Sequence, residues 1–256
     1  MEGQNSKISD RYVFGTDVKE PSENQRIWRY MTLPSFLYLL AERRLHFSRI
    51  WELNDLFEGR ISQAQVNDLA LDLEDKGRID FLPTLLQMYT NFVMGCAISC
   101  WHANETESVA MWKLYTTGDD GVAISTTVGK LMSSLTPKGI QDTRFNVGQV
   151  KYINHDANIV TETPPERQTS LQSLFHKSRE YAHEQEVRIV VVMPQNKPYP
   201  RSELDFPLTS LSFIEQIIIS PRFPTWALPA LQASISQFGI MLNIDASPLR
   251  ESLKWS

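Results

Sequence analysis

Residues 177–192 change from a polar, helix-compatible segment into a β-branched run. This pattern predicts a loop or helix end that leads, at about His183, into a buried strand. Because successive side chains alternate between the two faces of a strand, Glu184, Glu186 and Arg188 should share one face. Two carboxylates and a guanidinium would then line one edge of the sheet.

A carboxylate at the mouth of an apolar strand loses hydration, so it is usually either paired or kept for chemistry. In one interpretation Arg188 neutralises Glu186 as a partly buried ion pair. In the other interpretation Glu186 is a catalytic carboxylate, with Glu184 two positions before it. The pattern alone leaves both interpretations open.

The same periodicities predict the remaining elements. Strands are expected at about residues 25–31, 45–48, 94–101, 122–126, 147–153, 211–220 and 240–244. Helices are expected at about residues 36–40, 61–89, 104–116, 127–135, 171–182 and 225–238. Because this order lacks regular βαβ alternation, we predict an α+β fold with a central mixed or antiparallel sheet and flanking helices.

The domain organisation follows from the same pattern. Residues 1–24 are polar and irregular, which predicts a flexible N-terminal arm. Residues 25–256 are long enough for one α+β domain with a sizeable core. Within it, residues 61–90 are predicted to form a helical insertion or lid.

Charge and composition narrow the classes of partner. The chain has 25 Lys and Arg against 30 Asp and Glu, a net charge of −5, so a nucleic-acid partner is not expected. The N-terminus is polar, and no apolar stretch is long enough to cross a bilayer. We therefore expect a cytoplasmic protein without a membrane partner.

Several common motifs are absent or incomplete. His183-Glu184 resembles the start of a zincin motif, but the second histidine is replaced by Val187. Cys96 and Cys100 would lie about 13 Å apart in a strand, too far to share one zinc ion. No phosphate-binding Gly-rich loop, dinucleotide fingerprint or nucleophile elbow occurs. We expect no bound metal.

A series of short motifs, taken in order, resembles the bacterial family called domain of unknown function 2971. The resemblance spans about residues 26–245. It is carried by Trp28-Arg29-Tyr30, Phe47-Ser48 with Trp51, residues 54–58, Ser99-Cys100-Trp101, Met111-Trp112 with Tyr115 and Gly121, Tyr152, residues 181–188 and residues 217–221. The family name carries no activity, so this resemblance implies a shared fold and leaves the function open.

The first functional hypothesis is an ADP-ribosyltransferase-like enzyme with NAD as its substrate, of the toxin or phage-defence type. Arg29, Ser99 and Glu186 resemble that enzyme class's triplet in residue type, order and strand placement. Arginine binds phosphate bidentately, and a fixed carboxylate stabilises a positive charge that develops on the ribose. Glu186 and Glu184 are the candidate catalytic residues, and the acceptor is left open. The candidate nucleotide-binding residues are Arg29, Tyr30, Asn54, Asp55, Ser99, Trp101, Trp112 and Tyr115.

Two hypotheses from other classes compete with this one. Glu186-Val187-Arg188 resembles a variant of the Glu-x-Lys strand of magnesium-dependent nucleases. A non-catalytic module could instead hold a nucleotide or a protein partner in an aromatic pocket. The enzyme hypothesis adds one geometric expectation, that Arg29, Ser99 and Glu186 meet in one cleft.

Overall fold

The computed structural model describes residues 18–53, 55, 58–61, 63–116, 119–136, 145–154, 171–193 and 204–250. The chain divides into two compact units, each made from three segments. Unit 1 comprises residues 1–21, 47–99 and 141–204, and unit 2 comprises residues 22–46, 100–140 and 205–256.

Unit 2 is built on a mixed set of strands. Its elements are β1 (Arg26–Thr32), α1 (Leu33–Glu42), β2 (Arg44–His46), the last three residues of β4 (Cys96–His102), α4 (Val109–Tyr115), β5 (Gly121–Thr127), α5 (Val128–Ser134), β10 (Asp205–Pro207), β11 (Gln216–Ile219), α6 (Leu228–Gln237) and β12 (Ile244–Ala246). The strand order is β12-β11-β5-β1-β4. β11 and β12 are parallel, and the other neighbours are antiparallel. β2 and β10 form a separate antiparallel ribbon.

Local sequence explains where α1 begins and ends. Thr32 has an extended backbone, and its side chain accepts a hydrogen bond from the Ser35 N–H, which caps the helix. A proline in the first turn costs no helical hydrogen bond. The helix ends where Arg43 adopts a left-handed conformation with φ of 50°.

Unit 1 contains the segment singled out in the sequence. Its elements are β3 (Ser48–Arg49), α2 (Gln63–Asp75), α3 (Leu82–Met94), the first four residues of β4, β6 (Phe145–Gln149), β7 (Lys151–Ile153), β8 (His176–Ser178) and β9 (Glu186–Val192). β9 lies between β4 and β6, and β3 pairs antiparallel with Ala97 and Ile98 in the unit 1 part of β4. β7 and β8 form a parallel pair.

The predicted helical insertion is a pair of helices in unit 1. α2 ends at Asp75, the chain turns at Gly77 with φ of 64°, and a short 3-10 turn, Ile79–Phe81, leads into α3. α3 continues to Met94, beyond the predicted end at residue 89. Whether this pair moves as a lid stays a prediction.

β9 is buried on both faces. Six of its seven residues, from Glu186 to Val191, are buried, which fits the continuous β-branched run. Its neighbour β6 places Gly148 opposite Arg188. A Cβ at Gly148 would collide with the side chains of Val18 and Phe175, so this position needs glycine for space.

The predicted α+β class with a mixed central sheet is confirmed, while several element bounds are wrong. The strand predicted at residues 211–220 is confined to β11, because a turn closed by the Ile214 N–H on the Leu211 carbonyl precedes it. The strand predicted at 240–244 starts at Ile244, and that at 147–153 is split into β6 and β7. That residues 25–256 form a single domain stays a prediction, and the proposed arm lies mostly outside the described residues. No helix in the described part of the chain is long and apolar enough to cross a bilayer.

Candidate functional site: a buried cluster of glutamates, lysine and arginine

The predicted helix at residues 171–182 is wrong. The chain instead forms a 3-10 turn, Gln172–Phe175, then β8, then a second 3-10 turn, Arg179–Glu184. β8 pairs with β7, and Lys177 lies opposite Tyr152. These pairings override the helix-compatible composition of the segment, because tertiary contacts outweigh weak local propensities.

The turn before β9 decides where the two glutamates lie. Gln185 has φ of 44°, a left-handed conformation that is rare for residues other than glycine. This turn ends the 3-10 segment, so Glu184 lies outside the strand and β9 begins at Glu186. The prediction that Glu184 lies on the strand is therefore wrong. Both carboxyl groups nevertheless reach Lys177.

Glu186 lies between two cations. The Lys177 ammonium donates to Glu186 Oε1 at 2.6 Å and to Glu184 Oε2 at 2.7 Å. The Arg188 Nε–H donates to Glu186 Oε2 at 2.8 Å. All four side chains are at most 8% exposed. Both oxygens of Glu186 are thus engaged by buried donors.

Arg188 extends this cluster to a third glutamate. Its NH1 group donates to the Leu174 carbonyl oxygen at 2.6 Å, and its NH2 group forms an ion pair with Glu58. The Arg188 side chain is fully buried, and that of Glu58 is 2% exposed. We refer to Glu58, Lys177, Glu184, Glu186 and Arg188 as the buried ion cluster.

The pKa values in the cluster diverge. Burial raises the pKa of Glu184 to about 7, helped by its hydrogen bond with Glu186 and by the charge of Glu186. Burial alone would raise the pKa of Glu186. The charge of Arg188, the hydrogen bond with Glu184 and the charge of Lys177 outweigh this effect and hold that pKa well below its usual range. Burial by itself lowers the pKa of Lys177, and its two glutamate partners reverse this and raise it.

Charge balance is consistent with those directions. The cluster contains three carboxyl groups and two cations, so one proton is needed to make it neutral. Burial also raises the pKa of Glu58, against the opposing effect of Arg188. Because the pKa of Glu184 is raised to about 7, Glu184 exchanges its proton near neutral pH, while Glu186 stays ionised.

Neighbouring groups fix the position of the cluster. The Tyr152 hydroxyl accepts the Glu186 backbone N–H at 2.8 Å. The Lys177 ammonium lies 4.7 Å from the centre of the Tyr181 ring, a cation–π distance. The Asp55 carboxylate accepts the Ser178 backbone N–H at 3.3 Å. Asp55, a predicted nucleotide-binding residue, therefore contacts Ser178, the residue that follows Lys177 in the chain.

Other predicted site residues lie in unit 2. Arg29 is half-buried in β1, donates from NH2 to the His46 carbonyl oxygen at 3.0 Å and lies over the Trp101 ring at 5.6 Å. Burial lowers the pKa of Arg29 to about 10. The Tyr30 and Trp112 rings meet edge to face at 5.0 Å. Arg29 with Trp101, and Tyr30 with Trp112, are thus brought together.

The polar ends of those aromatic residues are already bound within unit 2. The Tyr30 hydroxyl accepts the Ser108 N–H at 2.7 Å, and the Trp112 Nε1–H donates to Glu107 at 2.6 Å. Both rings belong to a buried hydrophobic cluster with Trp28. The structure therefore gives them a packing role, and their role in nucleotide binding stays a prediction.

The remaining candidates are placed as follows. Ser99 is buried in the unit 1 part of β4, and Tyr115, at the end of α4, is 43% exposed. Asn54 lies outside the described residues. The convergence of Arg29, Ser99 and Glu186 on one cleft stays a prediction.

The nuclease hypothesis requires a set of side chains that can bind magnesium, and the described residues do not provide one. No group of three or more His, Cys, Asp or Glu side chains among them is arranged to hold a metal ion. In the buried ion cluster, the Lys177 ammonium lies between Glu184 and Glu186. Neither Cys96 nor Cys100 is part of a disulfide, and burial raises the pKa of Cys96 to about 12.

Sequence reasoning missed two members of the cluster. The sequence pattern predicts a helix at Lys177, and it places Glu58 only within a short motif. The signal for Lys177 was its place at the head of the polar stretch that ends at Arg188. Nothing in the spacing indicates that Glu58, 130 positions before Arg188, forms an ion pair with it.

The comparison with known families agrees with the motif resemblance. The model of a family described as "Protein of unknown function (DUF2971)" matches residues 111–189. This match includes β9 up to Ile189 and four members of the buried ion cluster. No curated protein matches the chain significantly.

The pKa of Glu184 predicts a pH-dependent stability. Its folded value lies above that of an ordinary glutamate, so between about pH 4.5 and about pH 7 the folded protein binds more protons than the unfolded chain. Stability should fall as pH rises through this range, by roughly 1–3 kcal/mol relative to Glu184→Gln, which cannot titrate. Urea unfolding at several pH values measures this, with the exposed Glu180→Gln as control. Parallel pH profiles for parent and Glu184→Gln would contradict the assignment.

Removal of Arg188 should leave buried carboxylates short of a partner. We expect Arg188→Met to lower the free energy of unfolding by about 3–5 kcal/mol, because Glu58 and Glu186 both lose a cation. Adding Glu58→Gln to that variant should recover part of the loss. The control is Arg179→Met, since Arg179 is exposed in the same segment. Equal losses for Arg188→Met and Arg179→Met would show that the cluster does not contribute to stability.

Proposed function

We propose that the protein is an ADP-ribosyltransferase-like enzyme that uses NAD as its substrate, with Glu186 and Glu184 as its catalytic carboxyl groups. The observation that carries this proposal is the divergence of two carboxyl groups that share the Lys177 ammonium. One is held ionised and the other titrates near neutral pH. Such a pair can divide the roles of charge stabiliser and proton carrier.

The proposed roles follow from the electronics of the reaction. When the bond between nicotinamide and ribose breaks, its electron pair leaves with nicotinamide, and positive charge develops on the ribose. The fixed negative charge of Glu186 would stabilise that charge. An acceptor nucleophile then forms the new bond to the ribose carbon, and ionised Glu184 would take its proton. The acceptor is not specified by this argument.

The surroundings support a preorganised carboxylate. Lys177 and Arg188 hold Glu186 from two sides, and Tyr152 fixes its backbone. A carboxylate held in this way does not have to reorganise as the charge develops, which is the basis of electrostatic catalysis.

A second candidate function is a non-catalytic nucleotide- or protein-binding module. The observation that favours it is the low exposure of the Glu186 side chain, 3%, together with the occupation of both its oxygens. On this hypothesis the buried ion cluster supports the fold, and no substrate contacts Glu186. The two candidates make different predictions for the same substitution.

Glu186→Gln separates the candidates. Gln has nearly the same volume as Glu. In the variant Lys177 still pairs with Glu184 and Arg188 still pairs with Glu58, so the protein should fold. If Glu186 is catalytic, NAD consumption should fall by about 10²-fold or more. Release of nicotinamide from NAD by the full chain, measured beside thermal unfolding, provides both readouts. The matched control is the exposed Glu180→Gln.

Two results would favour the binding module. The first is a parent protein that does not turn over NAD, even with candidate protein acceptors present. The second is turnover that Glu186→Gln leaves unchanged. A rise in melting temperature on adding NAD, without turnover, would indicate a nucleotide-binding module, because a ligand that binds only the folded state stabilises it.

A further inference from the structure

The ribbon of β2 and β10 in unit 2 carries a second group of charged side chains. His46 and Asp205 are cross-strand partners in this ribbon. His46 Nδ1 lies 2.6 Å from Asp205 Oδ1, and the Tyr38 hydroxyl donates to Asp205 Oδ2 at 2.8 Å. The Asp205 side chain is 3% exposed. Its buried carboxylate is therefore a fixed support for the imidazole ring.

Arg44 lies beside His46 on the same face of β2. The two residues are separated by Leu45, which is fully buried on the other face, whereas both of them are half-buried. Arg44 NH1 donates to the Asp205 carbonyl oxygen at 3.2 Å. This bond uses one of five guanidinium N–H groups. Asp205 therefore positions both Arg44 and His46.

The Nε2 atom of the His46 imidazole ring is available to a ligand. Nδ1 is taken by Asp205, and among the described residues Nε2 has no hydrogen-bond partner. The His46 side chain is 24% exposed. A carboxylate bound to one nitrogen fixes the direction of the other, as in oriented histidines at metal and catalytic sites.

We propose that Arg44 and His46 form a binding site for a phosphate group, held in place by Asp205. A guanidinium matches the geometry of phosphate oxygens, and an imidazolium Nε2–H adds a charge-assisted hydrogen bond. Because both donors are already fixed, binding loses little side-chain entropy. The site goes beyond the proposed NAD chemistry and does not depend on it, since its residues belong to unit 2 and its test requires no turnover.

The other charged groups around His46 set the local field. Arg29 donates to the His46 carbonyl oxygen, which places another cation beside the backbone of this residue. Among the described residues, the acidic groups that act on Tyr38 are the buried Asp205 and Glu42. The hydrogen bond to Asp205 raises the pKa of Tyr38, so this hydroxyl stays protonated as a donor.

Calorimetric titration of the full chain with inorganic phosphate and with pyrophosphate tests the proposal, and adenosine serves as the phosphate-free probe. Arg44→Gln and His46→Asn should each weaken binding of the phosphate probes by about tenfold or more, since each loses a charge-assisted bond. Arg26→Gln is the control, because Arg26 is another partly exposed arginine of unit 2.

The choice of variants separates binding from support of the ribbon. His46→Asn places an amide where Nδ1 was, so it keeps the bond to Asp205 and removes only Nε2. Arg44→Lys keeps the positive charge but lacks the planar set of guanidinium N–H groups. This variant is used in place of Arg44→Gln if Arg44→Gln does not fold. Absence of phosphate binding by the parent, or equal binding by parent, His46→Asn and both Arg44 variants, would overturn the proposal. The cluster would then only connect β2 to β10.

Discussion

The buried contact of Glu186 with Lys177 and Arg188 is the interaction on which unit 1 depends. It connects the start of β9 to β8, and through Arg188 it reaches the Leu174 carbonyl and Glu58. Charges out of water are stable only when they are paired and hydrogen-bonded. Every element that supplies a partner must therefore stay in place for β9 to keep its position.

The same contact gives Glu184 and Glu186 different pKa values. Two glutamates share one ammonium, but only Glu186 also receives a guanidinium. Glu186 is therefore stabilised as an anion, and Glu184 becomes the group whose proton is exchangeable near neutral pH. This difference makes the cluster a candidate catalytic site as well as a structural support.

The sequence predicted the class of fold and the placement of Glu186 and Arg188 on one face of a strand, because both follow from local periodicity. It left open whether the two residues form an ion pair or whether Glu186 is kept for chemistry. It misplaced Glu184, since the left-handed turn at Gln185 has no glycine to mark it. It missed the pairing of Glu58 with Arg188 and that of His46 with Asp205, because these contacts join residues 130 and 159 positions apart. Long-range ion pairs leave no periodic signal, so only the folded chain reveals them.

The most direct test of the central claim is the titration of the two carboxyl groups themselves. Carbon-13 NMR of the glutamate side-chain carboxyls, assigned with Glu184→Gln and Glu186→Gln, follows each group against pH. We predict that the Glu184 carbon titrates with a midpoint of about 7, while Glu186 remains ionised well below the usual range of a glutamate. Two carboxyls that titrate like exposed glutamates would contradict the buried ion cluster and the roles assigned to it.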